Sequence, residues 1–104
     1  MPQFDAFPFP VPDLRRSFPF AVNLRSDVIP GDDRLVIAPL APRRAMPGVA
    51  GRLAPVVRIE GEEYVVIIDR LVSIPARAAQ RPVANLATHR EALIGAIDLL
   101  FSGF

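Results

Sequence analysis

"FPFPVP", residues 7–12, sets prolines at 8, 10 and 12 between Phe7, Phe9 and Val11. Proline lacks a backbone N–H and is normally kept out of sheets. The stretch therefore reads as a strand, a polyproline ligand or a disordered leader. In a strand, residues two apart share a side-chain face and send their N–H groups to the same edge. The three prolines then remove donors from one edge only, while Phe7, Phe9 and Val11 can pair along the other. That describes an edge strand, with aromatics turned inward and its outer edge blunted against aggregation. The polyproline rival lacks a clean P-x-x-P.

Strand patterns continue from there. Phe18, Phe20, Val22 and Leu24 alternate, "VIPGDD" (28–33) supplies turn chemistry, and "RLVIAPL" (34–40) is the next strand. Residues 41–55, rich in proline, glycine and arginine, read as a long loop. "PVVRIEGEEYVVIID" (55–69) reads as a hairpin turning at Glu60-Gly61, with Val65–Ile68 apolar on both faces and hence central. "LVSIP" (71–75) is a further short strand and Arg77–Asn85 a connector. The last segment is helical. Thr88 and Glu91 have capping-box spacing, and Leu93, Ile97, Leu100, Phe101 and Phe104 form a stripe, with Ile94, Ala96 and Leu99 off it. Gly103 is the expected stop. The outcome is about five antiparallel strands followed by one C-terminal helix, in a single domain spanning residues 1–104.

Composition narrows the function classes. The chain has 104 residues, 51% of them hydrophobic, so an oligomer interface is the simplest destination for the apolar excess. No apolar run approaches the length needed to cross a bilayer, and the N-terminus lacks the order of a signal peptide, so the expected location is the cytoplasm, with no membrane partner. Zero cysteines exclude disulfides and thiolate metal sites. All twelve positive residues are arginine, which with twelve prolines reads as codon usage in a GC-rich genome. A net charge of +1 is low for a dedicated nucleic-acid binder. The doublets Arg15-Arg16 and Arg43-Arg44 read as solvated loop charges, as do Glu60, Glu62 and Glu63 around the hairpin turn.

The inventory is poor in catalytic groups. His89 is the only histidine, and the four serines and one threonine show no nucleophile signature. No metal-ligand set and no phosphate-cradling glycine motif is present. The expectation is therefore a non-enzyme with no catalytic residues, no metal and no cofactor. The C-terminal "LLFSGF" is the exception in interest. Phe101 and Phe104 around a Ser-Gly pair read either as a partner-binding knob or as the end of the core.

"VNLRSDVI" (22–29), "RLVIAPLA" (34–41), "APVVRI" (54–59), "VSIP" (72–75) and "NLATHREALIGAIDLLFSGF" (85–104) together resemble the CcdB toxin family, in order and at matching spacing. The opening "QFDAF" also fits that family's start. The resemblance covers nearly the whole chain. It implies a mainly β fold, an SH3-like antiparallel barrel of the CcdB/MazF type with a C-terminal helix, forming a homodimer. It further implies the toxin of a bacterial type II toxin–antitoxin pair that poisons DNA gyrase through the A subunit. A CcdA-like antitoxin would neutralise it, and the two would repress their operon, so that DNA is met only indirectly.

The family's gyrase-contacting positions fall here on Val28, Ile29, Asp98, Phe101, Ser102, Gly103 and Phe104. Its antitoxin surface points to the loop between the first two strands, here Val11, Asp13, Arg15 and Arg16. Three residues depart from the family pattern. Ser102 stands where tryptophan is expected, Asp98 replaces asparagine, and Phe104 replaces isoleucine. The surface is kept in outline and altered at its anchor, since serine removes a large apolar contact. Two alternatives follow. One is an mRNA interferase of the MazF/Kid type, using Arg25 beside Ser26 and Asp27. The other is a non-toxic homologue that retains antitoxin binding.

Overall fold

The computed structural model describes residues 1–29 and 33–103. Among the described residues, seven strands and one α-helix are formed: β1 (Asp5–Pro8), β2 (Phe20–Asn23), β3 (Arg34–Pro42), β4 (Val56–Ile59), β5 (Glu62–Val66), β6 (Val72–Pro75), β7 (Ala84–Asn85) and α1 (Arg90–Ser102). All pairings are antiparallel, in the order β4-β5-β3-β2-β1-β7, with β6 on β3. The result is a nearly closed antiparallel barrel with a C-terminal helix, the mainly β class expected from the sequence.

The nine-residue β3 is the spine. One edge pairs β2 over Ile37–Leu40. The other takes β6 over Arg34–Ile37 and then β5 over Leu40–Pro42. Pro39 lies where that edge changes partner. Its carbonyl accepts the Ile67 N–H at 2.9 Å. The reciprocal bond cannot form because proline has no N–H, and β5 leaves the sheet at Val66. A proline inside a central strand is tolerated because its nitrogen faces a gap between neighbours.

Alternation along the strands buries both faces of the sheet. Ala6, Val22, Ala38, Leu40, Val57, Tyr64 and Val66 point into one cluster, which Leu93 and Ala96 of the helix close. Phe7, Phe9, Ala21, Leu35 and Ile37 form a second cluster on the opposite face, with Phe18 and Ile74 packed against it. Much of the apolar excess that the sequence assigned to an oligomer interface is thus consumed inside the subunit.

Several expectations need correction. The opening stretch is a strand only as far as Pro8; a bend follows and then a 3-10 turn at Pro12–Leu14. The donor argument holds where it applies, since the Phe9 N–H still bonds Pro19 O at 3.2 Å. Val11, however, is 46% exposed and outside the inward face. Nor is β1 an edge, because β7 covers it at Asp5 and Ala6. That cover stops short of Pro8, so no pairing is asked of the proline nitrogen. The Glu60-Gly61 turn is as expected, with both residues at positive φ (52° and 81°). Two of its glutamates are not simply solvated: Glu63 pairs with Arg43 at 3.1 Å and with Arg58 at 3.6 Å, and Glu62 pairs with Arg44, while Glu60 is exposed. The Thr88–Glu91 capping box does not form. A 3-10 turn over Ala87–His89 precedes α1, so Thr88 lies inside the turn, and His89 holds the N-cap position without a side-chain capping bond. The side-chain acceptor at this end is Asn85 Oδ1, which takes the Ala87 N–H at 3.0 Å.

Phe7 is fully buried in the second cluster, away from the helix. Phe7→Ala should lower stability by ~3–5 kcal/mol, as large-to-small core changes do. The loss is read by urea denaturation, and its size shows that the second face is core and not a site awaiting a partner.

Candidate partner-binding surface

Helix α1 docks through Leu93 and Ala96, which are buried, and through Ile94, Ile97 and Leu100, which pack beside them. The predicted stripe is therefore rotated: Ala96 and Ile94 belong to it and Phe101 does not. Phe101 is 73% exposed. Residues 90, 94, 98 and 101 follow one ridge on a helix, so Phe101 stands on the flank that begins at Arg90. Asp98 and Ser102 are exposed, and Ser102 Oγ donates to Asp98 O at 2.7 Å. Gly103 ends the helix as expected, with φ 75° and its N–H on Leu99 O at 3.1 Å. A left-handed residue at this place satisfies an orphan carbonyl, and glycine adopts it without steric cost. Phe104 lies outside the described residues.

The second candidate segment follows β2. Val28 is 86% and Ile29 53% exposed, the most open aliphatic pair among the described residues. They sit on a short turn in which Ser26 Oγ accepts the Val28 N–H at 3.3 Å and Ser26 O accepts the Ile29 N–H at 3.4 Å. No hydrogen bond or ion pair among the described residues joins Ser26–Ile29 directly to α1. The two segments meet through the N-terminus instead. Gln3 bonds the loop, and the ring of Phe4 lies 5.6 Å beneath the Arg90 guanidinium at the start of the helix. Sequence reading missed this connection. Its one visible signal is Asn23, a polar residue 1% exposed in a strand that otherwise reads as apolar.

The residues proposed for the antitoxin surface lie together near the Pro12–Leu14 turn. Val11, Asp13 and Arg16 are exposed, while Arg15 is half-buried and donates through Nε to Phe9 O at 2.6 Å. Arg70 stacks 5.7 Å over Phe18, which in turn packs 5.8 Å from Phe9, so a second cation borders this loop. His89 is engaged structurally: its Nε2 accepts the Arg58 N–H at 3.3 Å across the open side of the barrel. Among the described residues, no group of three or more His, Asp or Glu could hold a metal ion. Among the described residues, no helix is long and apolar enough to cross a membrane.

Among protein-family models, that for CcdB protein matches residues 3–103. The chain belongs to the CcdB family. That membership makes it a toxin of a toxin–antitoxin system, and the family acts as poisons and not as classical enzymes. No curated protein matches the chain by sequence. The matched span includes both exposed segments described above, the Val28–Ile29 turn and the helix through Gly103.

Exposure separates knob from core on α1. Phe101→Ser should change stability by less than ~0.5 kcal/mol, the usual range for a surface position, whereas Leu93→Ala should cost ~2–5 kcal/mol. Parallel denaturation curves of the two variants check the assignment.

Proposed function

We propose that this CcdB-family chain is a homodimeric poison of a type II topoisomerase, DNA gyrase through its A subunit, gripping it with Val28, Ile29, Asp98, Phe101, Ser102, Gly103 and Phe104. What supports the reading most is the exposure of Phe101 at the end of a helix on which Leu93, Ile94, Ala96, Ile97 and Leu100 are packed against the core. A large aromatic left in solvent contributes nothing to the fold and much to an interface, where it becomes a desolvated anchor. Poisoning of this kind needs no bond chemistry from the toxin. A protein held in the enzyme's gate makes religation unfavourable by packing and hydrogen bonding alone.

A CcdA-like antitoxin is proposed to neutralise the toxin at Val11, Asp13, Arg15 and Arg16, where the Arg70 charge adds to attraction for an acidic tail. The toxin reaches operator DNA only through that antitoxin, and the pair acts in the cytoplasm. The interferase alternative loses ground on geometry. Asp27 Oδ1 accepts the Gln3 N–H at 2.8 Å and Ser26 Oγ the Val28 N–H, so both groups are engaged with backbone N–H donors.

Expression in a sensitive bacterium should arrest growth and accumulate cleaved-DNA complexes. Phe101→Ala should weaken topoisomerase binding by ~2 kcal/mol or more, about thirtyfold, as loss of an interface anchor does. Normal growth on strong expression of soluble protein would overturn the reading. In that case Ser102→Trp separates the remaining options, since a gain of toxicity identifies a non-toxic homologue that lost its anchor.

A further inference from the structure

We infer that the N-terminal turn, Met1–Asp5, is the positioning element of the exposed surface, with Gln3 and Asp27 together fixing the turn that presents Val28 and Ile29. The inference rests on the proposed reading of that surface.

Phe4 is the starting point. It is 3% exposed and has φ 71°, in the left-handed region that a bulky side chain rarely enters. Such a conformation is strained and persists only where its surroundings over-determine it. Here they do. The Phe4 N–H donates to Asn23 O at 2.6 Å, its carbonyl accepts the Leu86 N–H at 2.8 Å, and its ring lies in the barrel core under Arg90. The Asp5 N–H closes the turn on Pro2 O at 3.2 Å. The chain thereby doubles back and lays Gln3 along the loop that follows β2.

From that place Gln3 makes two bonds to the same loop. Its backbone N–H donates to Asp27 Oδ1 at 2.8 Å, and its side-chain Nε2 donates to Leu24 O at 3.0 Å. One residue thus pins both ends of the stretch Leu24–Asp27. Asn23 and Asn85 hold the turn in place: Asn23 Nδ2 donates to Met1 O and Pro2 O at 3.2 Å each, and Asn85 Nδ2 to Gln3 O at 3.2 Å. The next residues, Val28 and Ile29, are largely in solvent, so their side chains have no core to fix them. Their N–H groups turn back onto Ser26, so their position is inherited from the backbone before them, and Asp27 is the last residue of that backbone bonded to the N-terminal turn. A charge-assisted bond suits that task, being roughly twice as strong as a neutral one.

The test compares Asp27→Ala with Asp27→Asn in the full-length protein. Asparagine keeps the Oδ1 acceptor; alanine removes it. Asp27→Ala should speed amide hydrogen exchange of Val28 and Ile29 about tenfold or more while leaving β3 amides unchanged, since local opening is separable from global unfolding. Asp27→Asn should restore most of the protection. Trapping of cleaved DNA should fall with Asp27→Ala and recover with Asp27→Asn, a rescue that a loss of folding would not give. Unchanged exchange in Asp27→Ala, or asparagine behaving like alanine, overturns the inference. If Asp27→Ala does not fold, Gln3→Ala removes the second bond from the same turn, and unchanged exchange at Arg25 to Ile29 has the same force. A wild-type protein that traps no DNA refutes the proposed function alone, because the exchange measurements still decide the positioning role.

Discussion

Everything in this fold hangs on β3 serving three neighbours at once. A nine-residue strand that pairs β2 on one edge and β6 then β5 on the other needs a place where its second edge can change partner. Pro39 provides it by withholding a donor at the register where β5 departs. The same strand alternates Leu35 and Ile37 toward one cluster with Ala38 and Leu40 toward the other. The sheet is therefore buried on both sides, which is how a chain of this length assembles enough core to stand. The helix then has to cover only the barrel's open end, and it needs only one side of its surface to do so.

That economy leaves the other flank of α1 free. Arg90, Asp98 and Phe101 run along it, from a guanidinium resting on Phe4 to an aromatic ring in solvent. The Val28–Ile29 turn reaches the same Phe4 by way of Gln3 and Asn23. The strained N-terminal turn is thus a common reference for two segments far apart in sequence. Surface and core are coupled at one residue, whose ring belongs to the barrel interior and whose backbone belongs to the loop network.

What could be read from the sequence was whatever local periodicity dictates. The hairpin at Glu60-Gly61 was legible because a glycine between two apolar runs advertises a positive φ, which Gly61 adopts; Glu60 shares that conformation without its residue type announcing it. The C-terminal helix and its stop at Gly103 were legible for the same reason. Misreadings arose where tertiary contacts decide. Val11 alternates correctly with Phe7 and Phe9, but the chain turns at Pro10, so its face is never presented. Thr88 and Glu91 have the right spacing for a cap, yet a 3-10 turn over Ala87–His89 takes Thr88 inside it, and Asn85 at the end of β7 accepts the Ala87 N–H that opens that turn. The helical stripe Leu93, Ile97, Leu100, Phe101 and Phe104 was drawn from helical spacing alone; burial instead follows the angle of approach, which selects Ala96 and leaves Phe101 out. The candidate site was legible only as residues resembling a family. That Gln3 and Asp27 touch across 24 positions of sequence is invisible to any periodicity.

Ser102 shows how such a surface changes without disturbing its support. Its hydroxyl donates back to Asp98 O, four residues earlier, so the polar group is satisfied within the helix. A small residue there leaves the flank's aromatic character to Phe101, one position earlier and 73% exposed. Adjacent helical residues point about 100° apart, so an anchor at 101 and one at 102 address different directions. A partner that grips this chain by Phe101 must approach from the Arg90 flank, beside the N-terminal turn, and not from the side that residue 102 faces. On the proposed reading, serine at the position where the resemblance expects tryptophan alters the direction of the contact as well as its area, and it leaves recognition to the flank beside Phe4.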